Sequence, residues 1–513
     1  MRSSVRKPRI LLVLAHFDDM RNRNGRPNFL PQGVGHAFLA GAFDRNAVEI
    51  RIHSEFHSGP LLDERAFAWP DMLVLTGVTS AFDRMCQLAA YARTRSPGCV
   101  VVAGGPAVRN LPLTSARVFD FACQGDVEEL SEIARDVFGA ATAASEVFPR
   151  FDLLSWKSPV NYVESSRYCN FRCSFCALTA ERREYRTWTL AHLERQIRSY
   201  PRSKILLFLD NNFYGNDRAF FLAKLDLLES LFRDGSIPGW IALVTSDFFV
   251  DSRNIERARR AGCLGLFCGI ESFTPAQIKS YDKRQNLILP QHDLIRSCLE
   301  AGIVFQYGLI FDPTSQRLSE MEEELDFVFR HDEIPLPAFL SLTIPLLGTP
   351  YFHKRLSEGA ILPMAKLRDM DGFTLMTRPL DGVNETISFV RGLAKLDGRR
   401  RQVFDHGLRF WRRYRRSLSW RQMASQIANG ARLCTPSLIN GRRLPRSDDE
   451  RLTYVTTTQP LGPLYTPAFP VPERFSNHFR ATFMTDASGG LSEQIAADVE
   501  AAQRPAHREK RLV

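Results

Sequence analysis

Short apolar runs alternate with helix-period segments along the first part of the chain. The apolar runs fall at 10–15, 48–53, 72–78, 99–103 and 119–123, and helical patterns at 35–43, 82–93 and 127–138. Strands and helices alternating at this pitch predict a doubly wound parallel sheet with helices on both faces. Sheets of that type bind ligands beyond the carboxyl ends of their strands. Three glycine-bearing loops stand at such ends: Gly77-Val78-Thr79-Ser80, Gly104-Gly105-Pro106 and Gln124-Gly125-Asp126. No Gly-x-Gly-x-x-Gly follows the first run, which weakens a dinucleotide reading. Small residues, Pro149 and an apolar patch between 140 and 156 predict a domain boundary. The rhythm then resumes, with strands expected at 161–168, 205–209, 241–244, 264–268, 304–310 and 339–344. Helices are expected at 189–200, 218–233, 255–261, 290–301 and 319–330. Six such repeats suggest a partial (β/α)6 barrel, open at one side. Beyond about 364 the rhythm fades into a mainly helical C-terminal region. The domains are therefore expected at 1–139, 157–363 and 364–513, with a linker at 140–156.

Composition adds bounds. A chain of 513 residues can hold two or three domains, and 44% hydrophobic with 24% charged residues is ordinary for a water-soluble fold. No apolar run is long enough to cross a membrane, and Met1 to Arg9 lacks the apolar core of a signal peptide. The net charge of +10 is concentrated in arginines between 399 and 421. There Phe404, Leu408, Trp411 and Leu418 recur near helical spacing beside Arg412, Arg413, Arg415, Arg416 and Arg421. Such a basic amphipathic helix can cap the barrel, lie on an anionic membrane face or meet an acidic substrate. Nucleic-acid recognition has no supporting module. The tail from 487 is expected to be loosely helical or partly disordered.

Ten cysteines are too few for a disulfide scaffold in a chain of this size. Three of them crowd into Cys169-Asn170-Phe171-Arg172-Cys173-Ser174-Phe175-Cys176, with no fourth nearby. A structural zinc site is usually closed by four protein ligands. Three thiolates leave one corner open, and close-spaced thiolates suit an iron–sulfur cluster. The other seven cysteines are scattered and read as core thiols in a reducing cytoplasm.

The Cys-x3-Cys-x-aromatic-Cys run resembles the motif of radical S-adenosylmethionine (SAM) enzymes, with Phe175 in the aromatic slot. The resemblance implies that Cys169, Cys173 and Cys176 hold three irons of a [4Fe-4S] cluster. The fourth iron would bind SAM, and one electron would cleave it to a 5'-deoxyadenosyl radical. Asp210-Asn211-Asn212-Phe213 is similar to an element that meets the SAM amino group. Gly269-Ile270-Glu271-Ser272 is similar to one that meets the ribose or carboxylate, and Ser246 offers a further acceptor. Tyr307-Gly308 lacks the second glycine of the usual adenine contact, and Leu347 replaces a proline in Pro345-Leu346-Leu347-Gly348-Thr349-Pro350.

The sheet ahead of the motif resembles the cobalamin-binding domain of cobalamin-dependent radical SAM enzymes. The likeness rests on Pro31-Gln32-Gly33-Val34-Gly35, Asp71-Met72-Leu73-Val74, Gly104-Gly105-Pro106 and Gly125-Asp126-Val127-Glu128-Glu129. It implies cobalamin at Thr79, Ser80, Gly104, Gly105 and Gly125. The Asp-x-His-x-x-Gly of cobalt-ligating domains is absent, since Phe17-Asp18-Asp19-Met20 follows His16. His16 therefore reads as a strand-end histidine. The implied activity is methylation of an unactivated carbon in a small molecule or lipid, with an external flavodoxin- or ferredoxin-type electron donor. The rivals are a radical cyclisation, ring contraction or oxidation without methyl transfer, and a non-catalytic metal- or RNA-binding module.

Overall fold

The computed structural model describes residues 6–16, 34–154, 160–200, 204–372, 374–395, 399–427 and 469–503. They divide into two compact units. The first takes in the described residues of Met1–Lys157, Leu356–Met376 and Asp448–Val513, and the second those of Ser158–Arg355 and Thr377–Ser447. Pro31, Gln32, Gly33 and residues 17–20 lie outside the described residues.

In the first unit β1 (Arg9–Leu14), β2 (Glu49–Ser54), β3 (Met72–Thr76), β4 (Val100–Gly104) and β5 (Phe121–Ala122) form one sheet. Its order is β2-β1-β3-β4-β5, and every pairing is parallel. Central strands buried on both faces read as continuous apolar runs, and Ile10, Leu12, Met72, Leu73 and Val101 are fully buried. β2, at the edge, instead alternates exposed and covered positions. The strand predicted at 119–123 is shorter than expected. Its entry is held by Asp120, whose carboxylate accepts from Val101 N at 2.8 Å.

The helix Phe82–Arg95 departs from expectation in its surroundings. A helix on a sheet normally keeps one wet face, yet every residue from Phe82 to Ala92 is buried. Distant segments cover it. Phe469 and Phe479 set their rings 5.8 and 5.6 Å from Tyr91, and Asp83 accepts from Thr482 N at 3.2 Å. Asp498, in the helix Glu493–Gln503, caps the helix Pro112–Val118 by accepting from Leu113 N at 2.7 Å and Thr114 N at 3.0 Å. The stretch expected as a linker also packs here: Ala144 N donates to Ala42 O, and Arg150 N to Ala37 O, both at 2.9 Å. The region beyond 364 is thus shared between the two units.

The second unit is built on β6 (Val160–Val163), β9 (Ile205–Phe208), β10 (Trp240–Val244), β11 (Cys263–Glu271), β12 (Val304–Phe311) and β13 (Phe339–Leu342). These run parallel in the order β13-β12-β11-β10-β9-β6. The helices Leu190–Arg198, Arg218–Arg233, Arg253–Arg260, Gln291–Glu300 and Leu318–Arg330 lie between them, close to their predicted spans. An aromatic core of Phe208, Phe213, Phe221, Trp240 and Phe248 fills the space beneath the first strands. Trp240 Nε1 is satisfied by Ala261 O at 2.8 Å, as a buried indole requires.

The strand predicted at 161–168 ends at Val163. Beyond it, β7 (Ser166–Arg167) pairs antiparallel with β8 (Arg186–Thr187), so a short ribbon brackets the cysteine loop. The break has a cause. Ser165 turns away to bond Asp210 through both its N and its hydroxyl, and Tyr168 adopts φ 63°. The basic helix runs over Arg400–Tyr414 and buries His406, Phe410 and Tyr414. Arg409 donates to Phe329 O at 2.8 Å and Tyr414 OH to Glu333 O at 3.1 Å. Leu418 is buried as its spacing implied, but Phe404, Leu408 and Trp411 face outward. No helix among the described residues is long and apolar enough to cross a membrane.

Candidate active site

The cysteine loop is held at the carboxyl rim of the six-stranded sheet by backbone bonds made from several directions. Ser174 N donates to Tyr281 O and Tyr351 N to Ser174 O, both at 2.9 Å. Phe175 packs edge-on to Tyr281, with ring centroids 4.8 Å apart. Cys176 N donates to Cys173 O at 3.1 Å, and Cys176 then stands as N-cap of the short helix Ala177–Glu181. Cys173 is buried, while Cys169 and Cys176 are half-buried. Burial pushes all three thiols up, Cys176 to about 11, and their charges act on one another. Such thiols stay protonated near neutrality unless a metal displaces the proton.

The donor set, three thiols on one short loop, suits an iron–sulfur cluster, which takes each thiolate on a separate iron. Hydrogen bonds reach the sulfurs: Phe171 N donates to Cys169 Sγ and Gln285 Nε2 to Cys173 Sγ, each at 3.5 Å, and the Leu178 backbone bonds Cys176. The buried Lys283 ammonium acts on all three thiols and pairs with Glu271 Oε1 at 2.5 Å.

Around this loop the structure sorts the residues singled out in the sequence. Asn212 is buried and donates from Nδ2 to Asn170 Oδ1, inside the cysteine loop, at 2.9 Å. Its Oδ1 is buried with no hydrogen-bond partner. Asn211 is exposed. Asp210 is fully buried and turned the other way, accepting from Ser165 and lying 3.5 Å from Lys224 Nζ. Burial pulls Lys224 down to about 8, with Asp210 opposing. Ser246 donates to Asn286 Oδ1 at 3.0 Å, and Asn286 in turn donates to Gly269 O and Ile270 O. Glu271 sits at a register break in β11 with φ 63°, a conformation held only when its surroundings fix it. Ser272 is fully buried and accepts from Thr274 N at 3.0 Å. Lys283, Gln285 and Asn286 carried no motif. They follow the helix Pro275–Ser280; only the fold brings Lys283 and Gln285 to the thiols and Asn286 to Ser246.

In the first unit the loops after β3, β4 and β5 share one sheet edge. Thr79 is buried and Ser80 half-buried in the turn after β3. Gly104 ends β4, and Gly105 has φ 94°; a Cβ there would stand 2.9 Å from Thr76 Oγ1. Only glycine lets these neighbouring loops approach so closely. Gly125 N donates to Glu129, and Gly125 O accepts from Arg109 at 2.9 Å. His16, just past β1, packs edge-on to Phe56 with its backbone N donating to Glu55 at 3.1 Å.

Residues 163–324 match the family model of the radical SAM superfamily. The chain is 24% identical over 322 residues to the bacteriochlorophyllide d C-8(2)-methyltransferase of Chlorobaculum tepidum, covering 57% of this chain and 69% of that one. It is also 24% identical over 326 residues to the hopanoid C-2 methylase of Rhodopseudomonas palustris, covering 58% and 59%. Among solved structures it resembles the cobalamin-dependent SAM radical enzyme OxsB, determined with aqua-cobalamin and SAM bound. That likeness has a TM-score of 0.54 at 15% identity and covers 87% of this chain and 82% of the other. A three-cysteine loop on the rim of a six-stranded parallel sheet agrees with these matches: residues 163–324 carry a radical SAM domain, and the chain shares its fold with the cobalamin-dependent radical SAM enzyme OxsB.

Proposed function

We propose that this enzyme methylates an unactivated carbon of a small-molecule or lipid substrate. It would use a [4Fe-4S] cluster on Cys169, Cys173 and Cys176, with SAM and cobalamin. The observation that carries the reading is the anchored thiol loop with the buried, unpartnered Asn212 Oδ1 beside it. When bound, the cluster supplies the electron that splits SAM and cobalamin supplies a methyl carrier. The residues bind and orient. An ammonium group would satisfy Asn212 Oδ1, an acceptor otherwise left costly by burial. Asn211 and Ser246 would add polar contacts, and Phe175 would hold the loop in place. Asp210 is assigned to position its neighbours, since Ser165 and Lys224 engage its carboxylate. Glu271, with one oxygen on Lys283, would meet a ribose hydroxyl, and Ser272 would brace that turn.

Methylation is favoured by the names of the relatives, two of which act on a bacteriochlorophyllide and a hopanoid. The loops at Thr79, Ser80, Gly104, Gly105 and Gly125 are assigned to cobalamin because they share the edge where such sheets hold ligands. We place the enzyme in the reducing cytoplasm, fed by a flavodoxin- or ferredoxin-type donor and in peripheral contact with a membrane. The test is an optical spectrum of anaerobically purified protein, followed by incubation with methyl-labelled SAM and a reductant. Cluster absorbance and label on a bound corrinoid are expected, and Cys173→Ala should lose the cluster. Deoxyadenosine without labelled corrinoid would favour cyclisation or oxidation, and no SAM cleavage at all would sink the enzymatic reading.

A further inference from the structure

The helix Arg400–Tyr414 has two apolar sides, and only one is covered. His406, Phe410 and Tyr414 are buried against the barrel unit, at 1, 3 and 1% exposure. Phe404, Leu408 and Trp411 recur at i, i+4 and i+7 and form a second stripe, exposed by 70, 37 and 41%. At 3.6 residues per turn this second stripe is centred about 120° around the helix from the buried one. Beyond the turn at 415–419, the helical residues 420–427 add two more exposed apolar side chains, Trp420 at 75% and Ile427 at 42%. Scattered exposed apolar residues are normal, but five large ones within 24 residues, three of them on one helical stripe, mark a docking surface.

Charge identifies the occupant. Between 399 and 421 the sequence has nine arginines and one aspartate. Arg401, Arg412, Arg415, Arg416 and Arg421 are exposed along the stripe. Arg415 lies over the ring of Trp411 at 5.4 Å and Arg421 over Trp420 at 5.3 Å. A second copy of this chain would set these arginines against one another. Nucleic acid would leave Phe404 and Leu408 without partners. Tryptophan and arginine side by side above aliphatic and phenyl groups instead match the headgroup boundary of an anionic bilayer.

We propose that the outward stripe Phe404–Leu408–Trp411, together with Trp420 and the flanking arginines, seats the enzyme on an anionic lipid surface. This rests on the lipid contact proposed above and gives it a face. The full-length protein is sedimented with vesicles of phosphatidylcholine alone and of phosphatidylcholine mixed with phosphatidylglycerol. The wild type should pellet with the phosphatidylglycerol vesicles, less so as salt rises, and little with phosphatidylcholine. Each of Trp411→Ser and Trp420→Ser should weaken binding about tenfold, with the melting midpoint and cluster absorbance unchanged. Wild type that ignores anionic vesicles, or variants that bind as well as wild type, would overturn the assignment. So would a wild-type dimer in light scattering that the variants turn into a monomer. Cluster absorbance on the same samples separates failure of this proposal from failure of the catalytic one.

Discussion

At the scale of single residues, the chemistry hangs on how buried polar groups are matched. Gln285 is the clearest case, because its amide reaches Cys173 Sγ at 3.5 Å while lying far from it in sequence. Hydrogen bonds to cluster sulfurs raise a reduction potential by stabilising the more negative state. Gln285→Leu should therefore keep the cluster and make its potential more negative, read by redox titration with electron paramagnetic resonance. A second case is His36, fully buried in the first unit and pulled down to about 4 by burial. Its folded value lies below the ordinary histidine value of 6.5, so the folded chain binds the proton less readily. The stability it contributes is complete above 6.5 and is lost as pH falls through 4. Between those limits the wild type should lose about 3 kcal/mol more than His36→Leu, measured by denaturant unfolding at each pH. The cysteines were legible in the sequence because spacing alone defines their motif. Gln285, Lys283 and Asn286 were not, because nothing local distinguishes a buried amide from a surface one.

At the scale of elements, periodicity located the strands, and the fold set where they stop. The pattern predicted a strand over 161–168, yet β6 ends at Val163 because Ser165 leaves the ladder for Asp210. That exchange builds a buried cluster of Ser165, Asp210 and Lys224, in which Lys224 Nζ also donates to Phe213 O at 2.8 Å. Removing one member of a buried pair leaves a charge without compensation. Lys224→Met should destabilise the protein by about 3 to 5 kcal/mol, and adding Asp210→Asn should recover much of that loss. Chemical denaturation of the two variants checks it. The helix Arg400–Tyr414 carries the same lesson in another form. Its arginines and apolar spacing were plain in the sequence, but two apolar stripes cannot be ranked by period alone. Packing chose His406, Phe410 and Tyr414 for the interior.

At the scale of the molecule, each unit is assembled from segments remote in sequence. The first closes its helical layer with residues beyond 469, through Asp498 on Leu113 and Thr114 and through Phe469 on Tyr91. Asp498→Ala should cost about 1 to 2 kcal/mol, the usual worth of a lost helix cap. It should also speed amide exchange in the helix Pro112–Val118, followed by mass spectrometry. By itself the sequence determined the two strand-helix rhythms, the thiol trio and the concentration of arginine, because each is a local pattern of residue types. Tertiary structure alone decided which polar groups face the thiols, which stripe of the basic helix stays wet and which distant segments complete the first unit. Those outcomes depend on contacts between residues dozens to hundreds of positions apart, and no local period encodes such contacts.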